Sequence, residues 1–408
     1  MHSGVLSSGL QRGAVAFVQV LGLAVWFSMS AVVPSLQGDW AISAAEAVWL
    51  TGSVQVGFVA GAITSTALNL ADRIRPHLLL AASATLAAAC TVALALWIHG
   101  MAGAVPLRFL TGMCLAGVYP VGMKLMASWA GRSGRGLALG ILIGALTLGS
   151  TLPHLISGLG SLPWRDVLLT ASGLGLLAGL VALTMVRPGP HLAASAPSHN
   201  PRYAIMMFRE RGPRLVNLGY FGHMWELYAL WTWIPTFLLT SSAAPQLPGS
   251  VGIFVFIAMG IAGVAGCLLG GWCADRFGRS PAAVTALIIS GLCCLISPLA
   301  FDSGPAFLVV FCLIWGASVI ADSGVFSTSL SETADPRYVG TALTAQTAIG
   351  FALTVISIQL VPLIADWVSW RYAFLLLAPG PLIGALAMRA FGTQAEALSP
   401  ETGSQRHP

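Results

Sequence analysis

Six ionisable side chains sit in stretches of sequence otherwise apolar enough to lie in lipid: Arg108, Lys124, His154, His223, Glu226 and Asp322. A charge at the bilayer centre costs about 2.5–3.5 kcal/mol on insertion scales, so such groups face a cavity and mark a pathway. A carboxylate there can take up and release a proton, since a low-dielectric setting disfavours its ionised form. Basic groups there attract anions. At about 1.5 Å per helical residue, Glu226 lies about 18 Å beyond Arg214, near the midplane, and Asp322 falls somewhat past it. His223 and Glu226 are three positions apart and share a helix face with Gly219, whereas Phe221, Trp225 and Tyr228 point largely the other way. This spacing predicts that His223 partners Glu226, that Glu226, Asp322 and His223 serve proton coupling, and that the aromatics meet lipid or neighbouring helices.

The substrate cavity is expected to draw on Arg108, Lys124, His154, Gln55, Gln346 and Trp225. Arg108 and Lys124 are about 160° apart around a straight helix, so they share a face only if Pro120 kinks it. Arg108 is the better cavity charge, because Lys124 can snorkel to the interface. His154 follows Pro153 and reads equally as a packed helix residue. For Gln55, Gln346 and the neighbouring Thr347, interhelical hydrogen bonding is the alternative role.

These residues need helices to hold them. The 408-residue chain is 56% hydrophobic and 8% charged, whereas soluble domains carry about 25% charged residues. Spanning helices need about 20 apolar residues, and the pattern predicts them over 13–34, 45–69, 77–98, 103–129, 136–158, 166–186, 214–240, 249–273, 281–300, 304–330, 339–364 and 371–391. The first is read as an uncleaved helix rather than a signal peptide. With a cytoplasmic N-terminus, every arginine except Arg108, Arg165 and Arg371 falls on the cytoplasmic side, as the positive-inside rule requires. Both termini are therefore expected in the cytoplasm, and the net charge of +5 is explained by topology with no nucleic acid involved. The seven cysteines fall within predicted spans, with neither a disulfide framework nor zinc spacing, so no metal and no cofactor are expected.

The proline- and serine-rich segment 187–213 divides the spans six and six. An N-terminal bundle of residues 13–186 is expected before it, and a C-terminal bundle of 214–391 and a tail of 392–408 after it. The two sides echo each other: LADR at 70–73 with CADR at 273–276, RGLALG at 135–140 with VGTALT at 339–344, PWR at 163–165 with SWR at 369–371. A near-constant offset of about 203–206 means duplication, and an even number of spans per half makes the repeats parallel. Gly57 and Gly61, Gly136, Gly140 and Gly144, and Gly266 and Gly270 repeat every four residues, the spacing that lets helix backbones approach closely.

Residues 271–279, GWCADRFGR, match the Gly-x-x-x-Asp-Arg-x-Gly-Arg loop of the major facilitator superfamily, at the position between eighth and ninth helices where that family carries it. The copy at 68–76, LNLADRIRP, keeps Asp72 and Arg73 but has Leu68, Arg75 and Pro76 elsewhere in the pattern. Arg108 and Gly112 in turn resemble the Arg-x-x-x-Gly of that family's fourth helix. The resemblance spans roughly 13–391 and implies an all-α membrane protein of twelve transmembrane helices in two parallel six-helix pseudo-repeats. It also implies that Asp72, Arg73, Asp275, Arg276, Gly278 and Arg279 form gating loops that clamp the halves together. An aspartate near a helix N-terminus has a dipole on which to act. The fifth span lacks the Gly-Pro signature of many drug/proton antiporters, having Gly149-Ser150 and Pro153-His154 instead.

The function expected is alternating-access secondary transport of a small organic anion or zwitterion, coupled to protons, by a monomer in the cell membrane. The alternative is proton-driven efflux of a hydrophobic compound, which the aromatics of the seventh span suggest. A non-transporting receptor or scaffold has no need for buried charges. An enzyme is not expected: GRSG at 131–134 resembles a rhomboid motif but falls in a cytoplasmic loop between arginines.

Overall fold

Helices begin where the sequence supplies their first-turn chemistry. Ser43 and Glu46 form a reciprocal capping box, the Ser43 N–H donating to Glu46 Oε2 at 2.8 Å and the Glu46 N–H to Ser43 Oγ at 3.2 Å. Ser7 and Ser250 accept hydrogen bonds from Leu10 and Ile253 at two further starts. Pro76 and Pro305 stand in first turns, where a missing N–H loses nothing. The computed structural model describes residues 7–29, 31–68, 70–130, 134–159, 163–192, 202–243, 245, 249–335 and 338–398.

Every regular element among the described residues is a helix. They are α1 (Ser8–Leu23), α2 (Val33–Trp40), α3 (Ala44–Ala67), α4 (Leu70–Arg73), α5 (Pro76–Trp97), α6 (Met101–Leu115), α7 (Tyr119–Ser128), α8 (Arg135–Gly158), α9 (Trp164–Thr184), α10 (Tyr203–Met206), α11 (Arg211–Thr240), α12 (Val251–Val255), α13 (Ala262–Phe277), α14 (Arg279–Phe301), α15 (Pro305–Ala321), α16 (Ser323–Thr333), α17 (Val339–Val368), α18 (Trp370–Ala373) and α19 (Pro379–Leu398). Among the described residues, ten stretches are long and apolar enough to cross a membrane. The first expected span is not a continuous helix: α1 stops at Leu23, the chain turns, and α2 starts beside Pro34. The seventh, α11, is 30 residues long but carries Arg211, Arg214 and Glu226, which dilute its apolar character. The last helix extends to Leu398, past the expected boundary at 391.

Interruptions position the site. The fourth expected span breaks at Ala116–Val118, immediately before Pro120, so the kink that Pro120 suggests is present. The tenth breaks at Asp322, and the eighth contains a π-helical turn over Phe256–Ile261, a distortion frequent at functional sites.

Packing within α1–α9 and within α11–α19 is close, and the two groups meet chiefly through α3 against α17 and α8 against α13. Close approach depends on glycine: a Cβ on Gly57 would run into the Phe109 carbonyl, and one on Gly266 into Ala317. The segment between the groups is anchored at both described ends. Gly189 N–H donates to Ser128 Oγ at 2.8 Å, and the Asp335 N–H donates to the Tyr203 hydroxyl at 2.7 Å.

Candidate functional site

At the arginine-rich end, α13 finishes in Asp275-Arg276-Phe277-Gly278 and touches the start of α8. Asp275 Oδ2 accepts the Leu137 N–H at 3.0 Å, and its Oδ1 accepts from Arg279 Nη1 at 2.7 Å. Arg279 Nη2 reaches Glu332 Oε1 on α16 at 3.1 Å. With Gly134 as N-cap, Leu137 is the third helical residue, so a carboxylate from one group of helices neutralises the positive N-terminus of a helix in the other. Gly136 makes room for it, since a Cβ there would meet the Asp275 carboxylate. Gly278 turns the chain with φ 98° and ψ 158°, a conformation open essentially to glycine alone. Gly278→Ala is therefore expected to lower stability by about 1–3 kcal/mol, read as a lower thermal midpoint of the purified protein. An unchanged midpoint would show that the loop relaxes.

Arg108 is fully buried on α6. Its Nε donates to Leu50 O at 3.2 Å, its Nη1 to Val25 O at 3.1 Å and its Nη2 to Trp26 O. Val25 and Trp26 belong to the turn where the first span stops being helical, so the guanidinium satisfies carbonyls that the break frees. Irregular backbone at membrane depth needs such a partner. Among the described residues no carboxylate pairs with Arg108, which leaves a buried cation held only by carbonyl dipoles. Arg108→Lys keeps the charge but cannot reproduce the fork. Losing two bonds to a charged group costs about 3 kcal/mol or more, so the variant should melt well below the wild type; equal melting would argue that the break needs no guanidinium.

Glu226 faces the interior of its own helix group. Trp315 Nε1 donates to its Oε1 at 2.6 Å, Cys294 Sγ to Oε1 at 3.2 Å and Ser290 Oγ to Oε2 at 3.0 Å. No basic side chain accompanies it among the described residues. His223 is not its partner, contrary to the helical-wheel reading. His223 Nδ1 lies 2.9 Å from Asp322 Oδ1 instead, both side chains being almost fully buried. Asp322 Oδ1 has no hydrogen-bond partner among the described residues, so the contact is an ion pair only when the imidazole carries a second proton. A spacing of three residues aligns Cβ atoms, but each side chain found a different neighbour: His223 meets Asp322, between α15 and α16, and Glu226 meets α14 and α15.

Of the two settings expected for Tyr228, lipid or a neighbouring helix, it takes the second. It is buried in an aromatic cluster joining the two groups of helices, with Trp26, Phe27 and Phe58 on one side and Tyr228, Trp231 and Phe351 on the other. Ring centroids are 4.4 Å apart for Phe58 and Phe351, 5.1 Å for Trp26 and Phe351, 6.0 Å for Trp26 and Tyr228 and 5.8 Å for Phe27 and Trp231. One helical turn from Phe58, Gln55 is fully buried and neither of its amide atoms has a hydrogen-bond partner among the described residues.

The sequence matches the Major Facilitator Superfamily over residues 15–358. The chain belongs to that superfamily. Its members here are transporters rather than enzymes. Among curated relatives, the chain is similar to a gallate transporter of Pseudomonas putida, 27% identical over 69% of each chain. It is also similar to the 4-hydroxybenzoate transporter PcaK of Pseudomonas aeruginosa, 25% identical over 61% of this chain and 62% of that one. Among solved structures, the human organic anion transporter MFSD10 (TETRAN) has the same fold, with a TM-score of 0.68 at 13% identity, covering 94% of this chain and 100% of that one.

Within this major facilitator fold the remaining candidates are dispersed. Gln346 is buried on α17 with its Nε2 unpartnered among the described residues. His154 is buried near the far end of α8, where Gly252 crosses its carbonyl. Lys124 is half-buried on α7. Trp225 turns away from the N-terminal helices, its Nε1 donating to Leu376 O at 3.0 Å, so it does not line a cavity between the groups. Arg276 is exposed beside the Phe277 ring, apart from the Asp275–Arg279–Glu332 cluster, and Arg73 is exposed. The Asp72 side chain and residues 131–133 lie outside the described residues. Sequence reasoning missed Trp26, Phe58, Trp231 and Phe351, and also Trp315. The last was findable, because it stands 207 positions after Arg108, close to the repeat offset.

Proposed function

We propose that the protein is a proton-coupled secondary transporter of small aromatic organic anions, working by alternating access. Twelve spans would form two parallel six-helix repeats, residues 13–186 and 214–391, joined by the segment 187–213. The repeat is supported by equivalent contacts at a constant offset. Arg165 Nε donates to Ala95 O at 3.1 Å, and Arg371 Nη1 pairs with Asp302 at 2.7 Å, each tying the sixth helix of a half to the end of the third. Arg108 on α6 donates into the first span, and Trp315 on α15 donates into α11, again from fourth helix to first. The breaks at Ala116–Val118 and at Asp322 also correspond. Both termini would lie in the cytoplasm, with the chain acting as a monomer in the cell membrane.

One observation carries the reading: Arg108 and Glu226 are both buried, in opposite halves, and neither has a counter-charge among the described residues. An anionic substrate entering between the halves is attracted by Arg108 and repelled by ionised Glu226. A proton on Glu226 removes that repulsion, which ties anion binding to proton loading. His223 and Asp322 would form the second proton-handling pair. Asp275, Arg279 and Gly278, with Asp72, Arg73 and Arg276 in the supporting loops, would gate the cytoplasmic end. The names of the two bacterial relatives support an aromatic carboxylate as substrate.

The test is a thermal-shift panel of aromatic and aliphatic carboxylates on the purified protein, followed by counterflow of the best ligand in proteoliposomes. Stabilisation by aromatic acids and their counterflow are expected. Flux of neutral hydrophobic compounds alone would overturn the reading in favour of efflux.

A further inference from the structure

The aromatic cluster between the halves raises a question that core packing does not answer. Trp26 is 1% exposed, Trp231 3% and Gln55 0%. Yet Trp26 Nε1, Trp231 Nε1 and both amide atoms of Gln55 have no hydrogen-bond partner among the described residues. An unsatisfied buried donor costs about 1–3 kcal/mol, and native interiors hold few. Three side chains with orphan donors fall here on the very surface along which the halves must separate. The other tryptophans within the helix groups behave differently: Trp225, Trp233 and Trp315 each donate to a named acceptor. Orphan donors at a joint that opens are satisfied only in another state, by an acceptor that comes from outside.

The surroundings define that acceptor. The rings of Trp26, Phe58, Tyr228 and Phe351 contact one another at 4.4–6.0 Å between centroids, all across or beside the joint. Planar faces at this spacing accept another ring by offset or edge stacking when the halves part. Arg108, which has no counter-charge among the described residues, is bonded to the backbone carbonyl of Trp26 and so belongs to the same stretch of the first span. Donors without acceptors, a cation without an anion, and apolar faces converge on one ligand chemistry.

Resting on the transport reading above, we infer that Trp26, Gln55 and Trp231 are the substrate-binding residues, and that their ligand is a planar aromatic ring bearing a carboxylate. The ring takes the place of the Phe58–Phe351 and Trp26–Tyr228 contacts. The carboxylate accepts from the two indole N–H groups and the Gln55 amide, in the field of Arg108. In the conformation described here the rings of the two halves are packed on each other.

The experiment measures binding of three probes to the purified full chain by calorimetry. They are 4-hydroxybenzoate, cyclohexanecarboxylate, which lacks the aromatic ring, and 4-hydroxybenzamide, which lacks the charge. The wild type should bind 4-hydroxybenzoate at least about tenfold more tightly than either control. Trp26→Phe, Trp231→Phe and Gln55→Leu each keep bulk and remove donors, and each should weaken 4-hydroxybenzoate binding about tenfold, the effect of one hydrogen bond to a charged group. They should also erase the preference over the benzamide. Trp272→Phe, on an exposed lipid-side tryptophan, should bind as the wild type does. Three variants guard against one that fails to fold, and all should retain the wild-type thermal midpoint or exceed it, since an orphan donor has been removed. Wild-type affinity in all three would overturn this site while leaving the transport reading intact. Failure of the wild type to bind any aromatic acid would instead overturn that reading, and the site with it.

Discussion

Asp275→Asn is expected to slow transport about tenfold while leaving substrate affinity within about threefold of wild type. The carboxylate holds two cationic features together, the Leu137 N–H at the start of α8 and the Arg279 guanidinium. An asparagine keeps an acceptor oxygen but loses the charge. A charge at a partly buried helix N-terminus contributes about 1–2 kcal/mol, and the partly exposed pair with Arg279 adds less. At 1.4 kcal/mol per factor of ten, the state closed at this end loses about 5- to 30-fold in population. The proposed substrate contacts lie elsewhere, so equilibrium binding should be spared. Initial rates of counterflow set beside calorimetric affinities provide the check. Turnover equal to wild type would remove Asp275 from the gate and leave the contact a packing feature.

Glu226→Gln is expected to abolish accumulation driven by a pH gradient, with the fold and substrate exchange preserved. The side chain accepts three hydrogen bonds from neutral donors, Trp315, Cys294 and Ser290. A glutamine is nearly isosteric and keeps its carbonyl oxygen for Trp315, so packing survives. What it loses is the carboxylate proposed to bind the proton. Counterflow, which needs no proton movement, should continue at a rate within a few-fold of wild type, while uphill uptake should vanish. Driven accumulation in the variant would pass the coupling role to His223 and Asp322.

The all-helical membrane architecture and the Asp275–Gly278 turn were legible because each rests on local patterns. Apolar runs report spans, the glycine spacing reports close crossings, and Asp-Arg-x-Gly-Arg fixes a turn that only Gly278 can make. Pro120 announced its break for the same reason. The partner of Glu226 was not legible, because a helical wheel orders Cβ atoms around one axis and carries no information about which helix lies opposite. His223 pairs with Asp322, 99 positions further on, and Glu226 with Trp315, 89 further on; both depend on how α11 is seated against the helices that carry those residues. The break after Leu23 escaped for a related reason: the carbonyls it frees are satisfied by Arg108, a residue on another helix. The aromatic cluster was hidden because no local pattern singles out Trp26, Phe58 or Phe351, and Tyr228 read only as meeting lipid or a neighbouring helix. Only their meeting across the joint, beside donors without acceptors, gives them a further role.

The central claim, a proton gradient driving an aromatic anion, is tested most directly by uptake of radiolabelled 4-hydroxybenzoate into proteoliposomes. The account predicts accumulation above the external concentration when the lumen is alkaline, collapse of that accumulation with a protonophore, and neither effect in protein-free vesicles. Uptake that is absent, or equally fast with and without the gradient, would contradict it.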